Sequence, residues 1–281
     1  MTRPFPITAM SIRNALGDDC ATVAAAVRQG QSGLVPCPSL PSGPPLPFDT
    51  HVGILPGPLP TLPETFGSYD TRIARLAAAL VADIAGASRA AVSRWGPRRV
   101  GLLLGTTTAG VSATEAAYAQ RVTQGELPSD YDFFLHHGFE TLAEPLAGLV
   151  GLDGPSLVVS TACSSSAKVF GTARRLIEAD VLDAAIVGGL DVLCHTTLRG
   201  FHALGVLDTD RCKPFSGTRR GISLGEGGAM ALIERDGEGT VGLLGVGETS
   251  DAHHMSAPHP EGEGARRAME EALRRSGWTP D

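Results

Sequence analysis

Five cysteines, Cys20, Cys37, Cys163, Cys194 and Cys212, are the strongest nucleophiles in the chain, and one of them stands where chemistry is expected. Around Cys163 the sequence reads Val158-Val-Ser-Thr-Ala-Cys-Ser-Ser-Ser-Ala-Lys-Val-Phe-Gly171. The apolar run Leu157 to Val159, entered from the turn pair Gly154-Pro155, reads as a buried strand. Val169, Ala173, Leu176 and Ile177 then recur at helical spacing. Cys163 therefore sits where strand becomes helix. Free N–H groups and the macrodipole at a helix N-terminus favour a thiolate. Ala162, Ser164, Ser165 and Ser166 are small enough to admit a substrate, and the backbone N–H of Cys163 is placed to hold an oxyanion. The alternative is a buried structural cysteine, the commoner fate of this residue type.

Other candidate sites are weaker. Gly105-Thr-Thr-Thr-Ala-Gly110-Val111-Ser112 resembles a phosphate-binding loop, but Val111 stands where that loop needs lysine. His136-His137 and His253-His254 are adjacent pairs whose side chains diverge in helix or strand. Neither has a third ligand at zinc-like spacing, so no metal or other cofactor is expected.

The elements that position these residues follow from periodicity. Phe5 to Ile12 reads as a first strand, and Asp18 or Asp19 can cap a helix over Cys20 to Arg28 that ends at Gly30. The Pro- and Gly-rich stretch Val35 to Pro63 reads as a surface excursion. Thr71 to Val92 predicts one helix, with Ile73, Leu76, Leu80, Ile84 and Ala87 on a single face. Val100 to Leu104 and Asp183 to Val187 predict buried strands, the second closed by Gly188-Gly189. Helices are expected over Ser112 to Gln124, Phe139 to Val150 and Gly262 to Arg275, and strands over Arg220 to Glu234 and Thr240 to Glu248. This alternation predicts α/β layers around a largely parallel sheet.

Bulk properties narrow the function. The 281 residues carry 42% hydrophobic and 19% charged content, which fits a globular protein with a sizeable core. The formal net charge of −7, without a long basic run, argues against nucleic acid as the main partner. No apolar run reaches the roughly 18 residues of a membrane span. Met1-Thr2-Arg3-Pro4 lacks the apolar core of a signal peptide, and the odd cysteine count without framework spacing suggests reduced thiols; a cytoplasmic location is expected.

Six segments occur in order: Gly154-Pro155; Thr161-Ala-Cys-Ser-Ser-Ser166; Gly188-Gly-Leu-Asp191; Cys212-Lys-Pro-Phe215; Gly221-Ile-Ser-Leu-Gly-Glu-Gly227; and Ser250-Asp-Ala-His-His-Met255. Together they resemble the β-ketoacyl-acyl carrier protein synthases, most nearly the synthase I/II group, over essentially the whole chain. Ile7 to Ser11 and Leu16-Gly17 resemble that family's opening strand and turn, with Ala9 and Ser11 where glycines are usual.

The resemblance implies a thiolase-like fold, two related α/β halves in α-β-α-β-α layers. Residues 1–235 would be the N-terminal half and residues 236–281 the beginning of the C-terminal half. It implies that Cys163 is the nucleophile. It would take an acyl group from a carrier-protein thioester, and the carbanion from a decarboxylating malonyl thioester would then attack the acyl group. Thr108 resembles a residue bordering the acyl pocket, and Phe133 or Phe134 and Phe201 resemble aromatic pocket positions, with core packing as the alternative for the phenylalanines. Glu226 and Asp251 read as polar anchors, while Asp191, Arg211 and Arg219 are candidates for ion pairs.

The implied partners are acyl carrier protein, acyl and malonyl thioesters, and a second subunit, either identical or related. Family members also carry a His-Gly-Thr-Gly-Thr-like segment, a lysine and a second histidine. No residue here matches them, so the sequence as it stands is expected to be incomplete for full activity. Two other readings remain: a non-catalytic subunit that determines chain length, which the cysteine argues against, and an acyl- or carrier-binding module.

Overall fold

The computed structural model describes residues 3–37, 39–40, 42–254 and 257–279. Met255, the last residue of the 250–255 motif, lies outside them, as do Met1, Thr2 and the last two residues. In chain order the elements are β1 (Phe5–Arg13), α1 (Cys20–Arg28), β2 (Leu34–Pro36), β3 (His51–Gly53), α2 (Arg72–Asp83), α3 (Ala85–Trp95), β4 (Val100–Gly105), α4 (Val111–Gln124), α5 (Phe133–His136), α6 (Ala143–Val150), β5 (Ser156–Val159), α7 (Ser165–Glu178), β6 (Ala184–Asp191), α8 (His195–Ala203), β7 (Leu224–Gly225), β8 (Gly227–Glu234), β9 (Val241–Leu243) and α9 (Glu263–Ser276).

The main sheet has the order β5-β4-β6-β8-β1-β9. Side chains of its central strands alternate strictly between two cores. Leu102, Leu104, Ile186 and Leu232 meet Leu76 and Leu80 of α2 and Leu146 of α6 on one face. Leu103, Val187, Ala231 and Ile233 meet Val169, Ala173 and Ile177 of α7 on the other. Both faces being covered explains why β4 and β6 read as continuous apolar runs. The arrangement is α-β-α layering, as expected of one half of a thiolase-like fold.

Five expectations change. The sheet is mixed rather than largely parallel: β4 pairs in parallel with β5 and β6, but β8, β1 and β9 join antiparallel. Parallel pairing needs a crossover. Helices supply one on the β4, β5 and β6 side, while β8 returns beside β6 after the long 204–223 connection. The predicted helix 71–92 breaks at Ile84, whose backbone (φ −108°, ψ 11°) is not helical, so α2 and α3 meet at 70°. Both halves then keep a buried apolar face. The Pro-rich stretch 35–63 is not merely surface. Its Cys37, Leu40, Leu46 and Val52 form a third small core with Leu193 and Leu198, and β2 and β3 make a three-stranded sheet with β7. Predicted strand 220–234 divides into β7 and β8 around Glu226, and strand 240–248 is confined to β9. Among the described residues no single helix is long and apolar enough to cross a membrane.

At the end of the sheet away from Cys163, Asp183 accepts from Arg99 Nε at 2.6 Å and from Arg235 Nε at 2.5 Å. The Arg99 guanidinium, with Arg235 adding to it, holds the Asp183 carboxyl below the usual range. A carboxylate depressed on folding contributes stability that is present above its unfolded value of about 3.9 and lost as pH falls through the lower folded value. Asp183→Asn is therefore expected to lower the melting temperature at pH 7 and to shrink the loss as pH falls below about 4, which thermal melts over an acid series would measure.

Candidate active site

The carboxyl ends of the parallel strands β4, β5 and β6 meet at one edge, the usual place for a site in an open α/β sheet. Cys163 lies in the turn between β5 and α7 and is exposed. The preceding residue, Ala162, has φ +53°, a left-handed conformation that costs a non-glycine residue energy and persists only when the surroundings fix it. They do so here. The Ala162 carbonyl accepts from Ser165 N (3.0 Å), Ser165 Oγ (2.6 Å) and Thr107 Oγ1 (3.3 Å). Buried Ser165 also accepts from Thr161 N at 2.9 Å. The serines after Cys163 are thus the fasteners of a sharp turn that turns the thiol outward.

Two glycines allow α7 to press onto the sheet. A Cβ on Gly105 would lie 2.5 Å from the Ser165 carbonyl group, and one on Gly189 would lie 2.1 Å from Ser166 Cβ. Any side chain at either position would lift the helix start and Cys163 with it. Gly188 and Gly189 are accordingly interior residues of β6, which runs on to Asp191, rather than the closing turn expected from sequence.

Asp191 organises the facing loop. Its Oδ1 accepts from Thr106 Oγ1 (2.8 Å), Thr107 N (2.9 Å), Thr108 N (2.9 Å) and Thr108 Oγ1 (2.9 Å). The loop that resembles a phosphate cradle therefore spends its donors on an internal carboxylate. Asp191 is a loop anchor, not the ion-pair partner considered from sequence. The signal for it lay in the three consecutive threonines, whose hydroxyls need acceptors. Ala109 closes the loop with φ +43° while fully buried.

Around this framework lies a cleft of about 250 Å³, lined by residues that include Thr107, Cys163, Ser166, Asp191 and Gly227. A second, more apolar cavity of about 350 Å³ has walls that include Ala109, Ala113, Val192, Leu193 and Glu226. Residues close in sequence face the two spaces: Thr107 and Ala109 on the loop, Asp191 at the end of β6 and Val192 after it, Gly227 at the start of β8 and Glu226 before it. Thr108, bonded to Asp191, stands in sequence between Thr107 and Ala109 and lines neither space. Glu226 is an anchor, as expected: buried, it accepts from Leu55 N at 3.0 Å and pairs with Arg72 through two hydrogen bonds. Asp251 accepts from His259 N at 3.4 Å.

The phenylalanines stand apart. Phe133 and Phe134 lie on α5, half-exposed and exposed, and Phe133 stacks on His137 with ring centroids 4.6 Å apart. Phe201 lies partly buried on α8. None of the three, nor Thr108, lines the Cys163 cleft. The two histidines of the 136–137 pair diverge: His136 Nε2 contacts Ser68 O and His137 Nδ1 contacts Thr114 Oγ1, each at 2.8 Å. Sequence reasoning missed Glu115. This α4 carboxylate accepts from His195 N (2.7 Å), Thr196 N (2.6 Å) and Thr196 Oγ1 (2.7 Å), and so caps α8 from another helix. No local pattern reveals a cap supplied from 80 residues away.

The other thiols differ from Cys163. Burial pushes the Cys37 and Cys194 thiols up, and Cys20 Sγ is held against Met10 O at 3.8 Å. Limiting iodoacetamide at neutral pH is expected to alkylate Cys163 first and Cys37 and Cys194 last, as read by peptide mass spectrometry. Modification of Cys37 or Cys194 ahead of Cys163 would contradict the arrangement of the turn.

Comparison with known proteins agrees with this geometry. The family described as Beta-ketoacyl synthase, N-terminal domain, matches residues 2–238. The 3-oxoacyl-[acyl-carrier-protein] synthase 2 of Staphylococcus aureus is 31% identical over 196 residues, 65% of this chain and 48% of that protein. Nodulation protein E of Rhizobium meliloti is 29% identical over 285 residues, 95% of this chain and 69% of that protein. Among solved structures, the ketosynthase ApeO in complex with its chain length factor ApeC, from Xenorhabdus doucetiae, superposes with a TM-score of 0.91 at 34% identity, over 99% of this chain and 69% of that one. A β-ketoacyl synthase from Burkholderia phymatum shares the fold, with a TM-score of 0.81 at 22% identity. The chain spans about half the length of the Staphylococcus relative.

Proposed function

Because the chain belongs to the β-ketoacyl synthase family, we propose that it carries the acyl-accepting centre of a β-ketoacyl-acyl carrier protein synthase, with Cys163 as nucleophile. The observation that carries this reading is the strained Ala162 turn, which presents Cys163 to a cleft at the carboxyl ends of three parallel strands. The Cys163 thiolate attacks the carbonyl carbon of an acyl thioester. Negative charge moves onto oxygen and is met by backbone N–H groups at the start of α7, Cys163 N–H foremost. The tetrahedral adduct then collapses, the carrier thiol leaves with a proton, and the acyl group remains on Sγ. In the second half-reaction a malonyl thioester loses carbon dioxide. The resulting α-carbanion attacks the acyl carbonyl, a carbon–carbon bond forms, and the Cys163 thiolate is released. Fatty acid or polyketide synthesis is the setting that this reaction fits.

In this reading residues 1–235 are the N-terminal ketosynthase half and residues 236–281 the start of the second. The acyl tail lies along a partition that Thr108 and Asp191 form between the Cys163 cleft and the apolar cavity. The exposed rings of Phe133 and Phe134 face a second subunit, identical or of the chain-length-determining type. β5 is an edge strand with half-exposed Leu157, and an unpaired edge is a template for a neighbour of this kind. The carrier-protein thioester is the substrate form, and the reaction is placed in the cytoplasm.

Intact-mass analysis after incubation with an acyl-carrier thioester tests the reading. A mass gain of one acyl group supports a condensing enzyme. An unchanged mass favours the non-catalytic chain-length subunit or a binding module. Thr108→Phe adds a large side chain at the partition, and a close-packed interior cannot absorb it cheaply. Across a series of acyl thioesters from two to twelve carbons, acylation by the longer members is expected to fall about tenfold or more relative to the shortest. An unchanged length profile would remove Thr108 from the acyl path.

A further inference from the structure

His195 is buried, 7% exposed, and neither ring nitrogen has a hydrogen-bond partner among the described residues. An imidazole has at least one N–H and one lone pair or second N–H to satisfy, so burying it dry is unfavourable. What covers it is the segment Ser42–Phe48. Gly43 rests on the ring, so closely that a Cβ there would lie 2.8 Å from Nε2 and 2.9 Å from Cδ2. The same segment grips α8 at its other end, where Phe48 stacks on His202 with centroids 3.8 Å apart and planes 8° from parallel. Between the two, Leu46 packs into the small core with Cys37, Leu193 and Leu198. Ser42 Oγ reaches Glu115, the carboxylate that caps α8, through a 3.4 Å contact, and Ser42 also forms part of the wall of the 350 Å³ cavity.

We propose that residues 42–48 form a strap that lifts from α8 while the rest of the fold stays intact, opening that wall of the cavity. The closed strap is held by apolar contact at Leu46, one ring stack and a long hydrogen bond. Lifting it lets water reach both nitrogens of His195. The gain partly offsets the lost burial and makes this a low-energy local opening. The strap would thus regulate admission to the cavity through the wall that Ser42 helps to form. The proposal does not depend on the ketosynthase reading, since it concerns an opening and not a reaction.

Cys37, buried in the small core that Leu46 helps to form, and Cys194, buried at the N-cap of α8, report the opening. Their labelling by a small maleimide in the native 281-residue protein is expected to be nearly independent of low urea concentrations, the mark of a local opening that exposes little surface. His195→Phe keeps the ring and removes the unsatisfied nitrogens, and is expected to slow labelling of Cys37 about tenfold. Gly43→Ala pushes the strap off the ring and is expected to speed it about tenfold. Labelling that rises with urea in parallel with global unfolding would overturn the proposal. Rates unchanged in His195→Phe would also overturn it. That variant has no added bulk in the strap, so the test holds even where Gly43→Ala folds poorly.

Discussion

The 281-residue polypeptide on its own will accept an acyl group on Cys163 but will not elongate it with a malonyl thioester. Acyl transfer needs a nucleophile and one oxyanion donor, and the turn between β5 and α7 supplies both kinds of group. Decarboxylation needs more, because the departing carbon dioxide leaves an enolate oxygen that must be met by donors or positive charge. The cleft around Cys163 offers hydroxyls, backbone and the Asp191 carboxylate, with no histidine or lysine among its lining residues. The nearest lysine in sequence, Lys168, is paired with Glu248 at 3.3 Å. A missing oxyanion donor typically lowers a rate about 100- to 1000-fold, so a cleft with neither histidine nor lysine to meet the enolate should fall below detection. Acyl-enzyme measured by intact mass, together with an assay of malonyl-dependent product, separates the half-reactions. Ready elongation by this polypeptide would show that donors outside the cleft complete the centre.

Asp191→Ala is expected to damage both the stability of the fold and the site. Two backbone N–H groups and two threonine hydroxyls lose their common acceptor, and hydrogen bonds to a charged group contribute about 1.5–3 kcal/mol each before solvent replaces them. Asp191 is half-buried, so water can reach part of the loop, and a net loss of about 3 kcal/mol is expected. For a chain of this size that corresponds to a fall of roughly 6–12 °C in melting temperature. The acylation rate should fall as well, because Thr107 would no longer be held against the Ala162 carbonyl. Asp191→Asn keeps one acceptor oxygen and should recover part of both. A melting temperature within 1–2 °C of the parent, roughly the ordinary surface-substitution range, would show that the loop stands without its anchor.

Much of this arrangement could be read from the residues in order. Cys163 at a strand-to-helix junction followed from the apolar run before it and the helical spacing after it. The two-sided burial of β4 and β6 followed from their continuous apolar runs. The features that escaped depend on residues far apart in sequence. Strand direction in β8 and β1 is set by the route of the 204–223 connection, which carries no periodicity. The small core under residues 42–48 escaped because its apolar residues are spaced irregularly among prolines, and they find their partners some 150 residues later. The break at Ile84 is a tertiary compromise, since the apolar face continues across it. Glu115 was invisible as an anchor because a carboxylate's sequence neighbours do not reveal whose N–H groups it accepts, and Asp191 had only the three threonines of the distant loop to point to it.

The account stands on Cys163 being the atom that holds the acyl group. The direct measurement is peptide mapping by mass spectrometry after incubation with an acyl-carrier thioester, on the parent chain and on Cys163→Ala. The expected result is an acyl mass on the Cys163 peptide alone, lost in Cys163→Ala and blocked by prior alkylation with iodoacetamide. An acyl group on Cys20, Cys212 or a serine of the 164–166 run, persisting in Cys163→Ala, would contradict it.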